Sequence, residues 1–201
     1  MRPSSKALPR LIAALCAATP LAALAHTGTG HVVGFLQGVA HPFTGIDHML
    51  AMVAVGLLAG RLGGRATWLV PASFMSVMAV GALLGMARVA VPFVEIGIAG
   101  SILAFGLALA SGRDMTVPAT MALVGFFALF HGHAHGAEAA HDIASVSYEA
   151  GLLIASAMLH ALGVFLALAA NRHTHIGGRP LLRSTGGILV LAGVGVLAGL
   201  I

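Results

Sequence analysis

Residues 67–86 read TWLVPASFMSVMAVGALLGM, a run that holds no Asp, Glu, Lys or Arg. An α-helix rises about 1.5 Å per residue, so about 20 apolar residues match the roughly 30 Å hydrocarbon layer of a bilayer. Outward from this run the pattern repeats. Residues 91–110, 148–171 and 181–201 are further runs of spanning length, and 115–131 is slightly short. The whole chain agrees: its 201 residues are 59% hydrophobic and 8% charged, with a mean hydropathy of +1.00. Soluble domains carry about 25% charged residues, so most of this exterior must face lipid. The expected fold is all-α, a polytopic transmembrane bundle of about six spans.

The remaining span is irregular. Residues 31–60 are long enough to cross, but Pro42 and Gly45 interrupt them. Proline removes a backbone donor and glycine is a weak helix former. The spacing therefore predicts a short helix ending near Ala40 and a second beginning at Ile46. Such a break is tolerated at membrane depth only where protein buries it or where it lines a cavity.

Residues 1–25 read as a secretory signal peptide. Arg2, Lys6 and Arg10 precede an apolar stretch that closes on Ala23-Leu24-Ala25. An uncleaved first helix is the alternative, and the shortness of the stretch and Pro20 within it favour cleavage. Residues 26–201 then form one transmembrane domain. The only cysteine, Cys16, lies in the removed segment, so the mature chain has neither disulfide nor thiolate ligand. Cleavage places the mature N-terminus outside, and six spans place the C-terminus there too. Arg61, Arg65, Arg113, Arg172, Arg179 and Arg183 then fall in cytoplasmic loops, with only Arg88 opposite, as the positive-inside rule requires. The expected location is a bacterial inner membrane. The net charge of +4 is too scattered for a nucleic-acid surface, and no P-loop is present. Small-x-x-x-small pairs at Gly56/Gly60, Gly81/Gly85 and Gly195/Gly199 read as close helix packing inside the bundle.

Histidines are the anomaly: 11 of them, against 10 Lys+Arg and 6 Asp+Glu. Two clusters stand out. One is His41-Pro42-Phe43-Thr44-Gly45-Ile46-Asp47-His48, at the broken span. The other is Phe130-His131-Gly132-His133-Ala134-His135-Gly136-Ala137-Glu138, at the end of the 115–131 run. The topology puts both near the outer face. If helix continues past His131, then His131, His135 and Glu138 share one face, ready to surround one ion. A helix C-terminus also favours a cation.

Each motif has a plainer reading. Thr44 and Asp47 resemble a capping box for the second half-helix, and that helix's positive N-terminus opposes a cation. His133, His141, His173 and His175 read as solvated loop residues. His160 is harder to dismiss, because it lies mid-span on one helical stripe with Glu149 and Ser156. Glu95, opening a span on the outer side, is either interfacial or part of a pathway. Cleavage after Ala25 would make His26 the first residue, whose α-amine and imidazole can together chelate a metal; a mobile terminus that binds nothing is the alternative. Imidazole and carboxylate suit several transition metals, so ligand type alone does not choose one.

The motifs H-P-x-x-G-x-D-H and F-H-G-x-A-H-G-x-E, followed by Leu159-His160 and Gly163, resemble the HupE/UreJ family of hydrogenase and urease accessory proteins, over essentially the whole chain. The resemblance implies a permease for Ni2+, with some members linked to Co2+, and no cofactor beyond the transported ion; Zn2+ is open on ligand chemistry. It carries metal handling onto His41, Asp47, His48, His131, His135 and Glu138. His133 occupies a variable slot, so no role transfers to it. The implied partners are a transition-metal ion, the lipid bilayer, and hydrogenase or urease maturation proteins. Secondary transport rather than an enzyme is the expectation. Two rivals are an intramembrane metal-dependent hydrolase, with Glu138 as its general base, and a haem carrier using His131 and His160.

Overall fold

The computed structural model describes residues 34–138, 143–173 and 179–200. The signal-peptide segment, the cleavage site after Ala25, Cys16, His26, His141 and His175 lie outside them. Among the described residues the chain is helical throughout: α1 (Phe35–Ala40), a single 3-10 turn (His41–Phe43), α2 (Ile46–Leu62), α3 (Ala66–Met86), α4 (Val94–Ala110), α5 (Val117–Glu138), α6 (Ile143–His173) and α7 (Arg179–Leu197). Helices α3, α5, α6 and α7 are long and apolar enough to cross a membrane. Helix α4 is apolar but shorter, at 17 residues. The chain is a multi-pass membrane protein, and its outer surface carries Trp68, Leu83, Phe126, Phe165, Ile188 and Leu191 exposed, as lipid requires.

The break predicted at Pro42 and Gly45 is present. The segments Phe35–Phe43 and Ile46–Leu62 meet at a bend of 84°. Pro42 sits inside the 3-10 turn, where its missing N–H costs nothing. The capping box does not form: Gly45 is the N-cap residue, with no side-chain cap. The Thr44 hydroxyl instead donates backward to the His41 carbonyl at 2.7 Å. Thr44 is thus spent on closing the turn, and Asp47 is left to other work. Gly45 has an ordinary extended φ of −105°, so its value is space. A Cβ there would lie 2.9 Å from the Asp47 carboxylate.

Glycines set the helix contacts. On α3, Gly81 and Gly85 face the α5 backbone, while Gly132 and Gly136 of α5 face Met78 and Ala82 of α3. A side chain at any of the four would collide with backbone. Helices α2 and α6 meet the same way through Gly56, Gly60 and Gly163, and α1 meets α6 through Gly38 and Gly151. Two of the three sequence pairs therefore serve packing within the bundle. In the third pair, Gly199 lies past the end of α7 at Leu197, at φ +66°, with open space where a Cβ would stand.

At one end of the bundle arginines tie the helices together. The side chain of Arg61, 5% exposed, donates to the carbonyls of Ala108 and Leu109 at 3.2 and 3.0 Å and pairs with Asp114 at 3.2 Å. Arg179 pairs with the other Asp114 oxygen at 2.8 Å, and Arg183 donates to the Ala110 carbonyl. The last carbonyls of α4, at the negative end of its dipole, thus receive cationic donors.

Candidate metal centre

The opposite end is built from imidazole. Helix α5 runs unbroken to Glu138, so His131, His135 and Glu138 do share a face. The glycines after His131 and His135 explain why that face turns inward. Gly132 and Gly136 lock α5 against α3, which fixes the rotation of α5 and swings the two histidines toward α2. Both are buried, at 0% and 1% exposed. The 84° bend brings His41 and His48 to meet them.

Among the described residues, one ligand atom each of His41, His135 and Glu138 lie within 4.8 Å of one another. His48 joins through its rings: it stands 4.7 Å from His135 and 5.2 Å from His131, while His41 stands 4.8 Å from His135. Metal–nitrogen bonds of about 2.1 Å hold two ring centroids roughly 4.6–5.3 Å apart at right or tetrahedral angles, and roughly 6.5 Å apart when the rings are trans across an octahedron. All three pairs fall in the first window, and His41 and His48, at 6.3 Å, stand near the trans separation. The Nδ1 atoms of His48, His131 and His135 are buried without any hydrogen-bond partner. Buried polar groups are normally satisfied, so three bare imidazole nitrogens in one cluster are the chemistry of a cation site. The C-terminus of α5 adds the negative end of its dipole.

Asp47 and Glu95 lie outside this closest set. Asp47, half-buried in the first turn of α2, and Glu95, exposed in the first turn of α4, are close enough to His48 for their charges to act on it. Asp47 also offsets the positive N-terminus of α2. Deeper in the bundle, His160 is 1% exposed with neither ring nitrogen partnered, and Ser156 and one Glu149 oxygen on the same stripe are likewise unpartnered. Phe74 connects the two levels, its ring 5.6 Å from His131 and 5.1 Å from His160. One expectation fails. His133 is not a loop residue but a buried one on α5, whose Nε2–H donates to the Val89 carbonyl at 2.7 Å. His173, too, closes α6 rather than lying in a loop.

The model of the HupE / UreJ protein family matches residues 13–196. The chain belongs to the HupE/UreJ family. It is also similar to a protein named HupE from Rhizobium leguminosarum bv. viciae, 43% identical over 184 residues that cover 91% of this chain and 95% of the relative. No solved structure gives a significant match. The family match spans both histidine motifs and Gly163, so the glycines that pack the helices and the side chains that line the cluster belong to one matched stretch.

Three residues of the site were not legible as such in the sequence. Phe74 looks like any phenylalanine in an apolar run. Tyr148, whose ring lies 5.7 Å from His41 and whose hydroxyl is unpartnered, sits at the end of one. Ser101 reaches His131 from α4 at 3.1 Å. Only Ser101 had a signal: a hydroxyl inside a span that otherwise lacks polar groups after Glu95.

Proposed function

We propose that this chain is a secondary transporter that admits a divalent transition-metal ion, Ni2+ by preference and Co2+ as the alternative cargo, across the inner membrane to supply hydrogenase or urease maturation. The observation that carries it is the meeting of His41, His48, His131, His135 and Glu138 at one end of the bundle, with three buried imidazole nitrogens bare. Family membership supports the cargo and the maturation partners. The positive-inside rule supports an outward-facing histidine end, and a signal peptide cleaved after Ala25 would put His26 on that same side as an auxiliary first ligand.

The ion exchanges water for imidazole and carboxylate at the cluster, with Asp47 and Glu95 supplying negative charge at its edge. It then moves inward past His131 and the edge of Phe74 to His160, whose nitrogens have no other partner. Inward movement of a 2+ ion is driven by about 4.6 kcal/mol at 100 mV, twice the roughly 2.3 kcal/mol per charge. The membrane potential is therefore sufficient without ATP. No observation favours the hydrolase or the haem carrier. Phe74 packs against the rings of both His131 and His160.

The test is uptake of radioactive nickel by cells expressing the chain, with cobalt and zinc as competitors. Uptake above the vector control, reduced more by cobalt than by zinc, is the expected result. Uptake equal to the control would overturn the reading.

A further inference from the structure

Ser101 is the one buried polar side chain of α4, 0% exposed and surrounded on its helix by Ile98, Ile102 and Phe105. Its hydroxyl makes two contacts: 2.6 Å to the Ile98 carbonyl one turn back, and 3.1 Å to Nε2 of His131 on α5. A carbonyl can only accept, so the single hydroxyl proton is committed to Ile98. The serine oxygen then offers His131 lone pairs alone, and Nε2 must be the protonated nitrogen. A neutral imidazole carries one N–H, so Nδ1 of His131 holds a bare lone pair. That atom is the one found buried without a partner, on the ring packed 5.2 Å from His48. The opposite tautomer fails twice: two lone pairs would face each other at Ser101, and an Nδ1–H would be buried with no acceptor.

We propose that Ser101 is the positioning residue for His131, selecting the Nε2–H tautomer and so presenting Nδ1 as the metal-binding atom. The inference deepens the transport reading and rests on it for the word metal, but the tautomer itself does not. Outer partners of this kind orient a ligand ring and raise its basicity, and their loss typically weakens metal affinity about 10–100-fold. Ser101 also makes α4 a component of the site, although α4 contributes no atom to the closest set of ligands.

The experiment has two arms. In the first, the full chain is labelled with 15N-histidine and purified metal-free in detergent, and ring-nitrogen shifts are recorded; the His131 signals are assigned by their absence in His131→Ala. His131 should be protonated on Nε2 in the unmodified chain and in Ser101→Thr, and a tautomer mixture in Ser101→Ala. In the second, nickel uptake is measured against concentration. Ser101→Ala should raise the apparent KM about 10–100-fold with maximal rate changed by only a few-fold, and Ser101→Thr should restore it. A His131 protonated on Nδ1 in the unmodified chain overturns the proposal even if Ser101→Ala fails to accumulate. So does a Ser101→Ala protein with unaltered tautomer and KM. Should the unmodified chain carry no nickel while His131 is still the Nε2–H form, the positioning stands and the transport reading falls.

Discussion

The two polar ends of this bundle solve opposite problems with similar materials. At the arginine end Asp114 and the last carbonyls of α4 are met by cations. Arg61 fills two carbonyls and half of Asp114, Arg179 fills the other half, and Arg183 takes a third carbonyl. At the histidine end the reverse holds: His48, His131 and His135 each keep a buried nitrogen with no partner. Orphaned buried polar atoms are costly in an apolar surrounding. A bundle that pairs its buried arginine and leaves three buried imidazole nitrogens open is not short of partners; the open end is reserved for something that arrives. The comparison teaches that burial of polar groups marks structure when they are paired and a ligand site when they are not.

The largest effect expected from breaking the comparison is at the open end. His48→Ala or His135→Ala should lower nickel uptake to the vector background while membrane immunoblots show normal protein, because each removes a nitrogen from two of the close ring pairs or from the nearest ligand set. Uptake close to that of the unmodified chain in both would remove the cluster from the pathway. Acid should imitate these changes. A ligating imidazole must be unprotonated, so uptake should decline as external pH drops below the ordinary imidazole value of about 6.5. A rise with acidity would favour proton-driven import instead.

A step inward, the effect should change in kind. His160→Ala is expected to keep the apparent KM while lowering maximal rate several-fold, since His160 lies beyond Phe74 from the cluster. Equal maximal rates would leave His160 a packing residue.

The arginine end should answer in stability rather than affinity. Arg61→Ala strips a buried donor from two carbonyls and one carboxylate, and should lower stability by about 1–3 kcal/mol, read as an earlier thermal transition in detergent, with nickel KM unchanged. A changed KM with unchanged melting would reverse the roles assigned to the two ends. Arg179→Ala should do least, about 0–1 kcal/mol, because its side chain is 69% exposed and Asp114 keeps Arg61.

The sequence was most informative where covalent chemistry constrains the backbone locally. Pro42 has no N–H, so the broken span could be read directly, with its halves correctly ended at Ala40 and begun at Ile46. The face shared by His131, His135 and Glu138 followed from helical spacing once the helix was taken to continue. Thr44 and Asp47 misled because a capping box and a turn-closing threonine look alike in one dimension; which carbonyl the hydroxyl reaches depends on the turn already formed. His133 misled for a related reason. Its acceptor, the Val89 carbonyl, stands 44 positions earlier in the chain, and no local pattern indicates that α3 returns its end to that side of α5.

By itself, then, the sequence determined that the chain is a bundle of apolar helices with one broken segment, because composition sets the solvent and the period of the helix sets the faces. It also named the residue types that meet at the histidine end, imidazole and carboxylate, through the two motifs that carry them. Tertiary structure alone decided which of those residues converge. Gly132 and Gly136 admit the α3 backbone so closely that only one rotation of α5 fits, and that rotation turns His131 and His135 toward His48. It likewise decided that Phe74 lies against both His131 and His160, and that Ser101 supplies the lone pair behind His131. Such contacts join positions tens of residues apart, and packing shape, not sequence spacing, selects them.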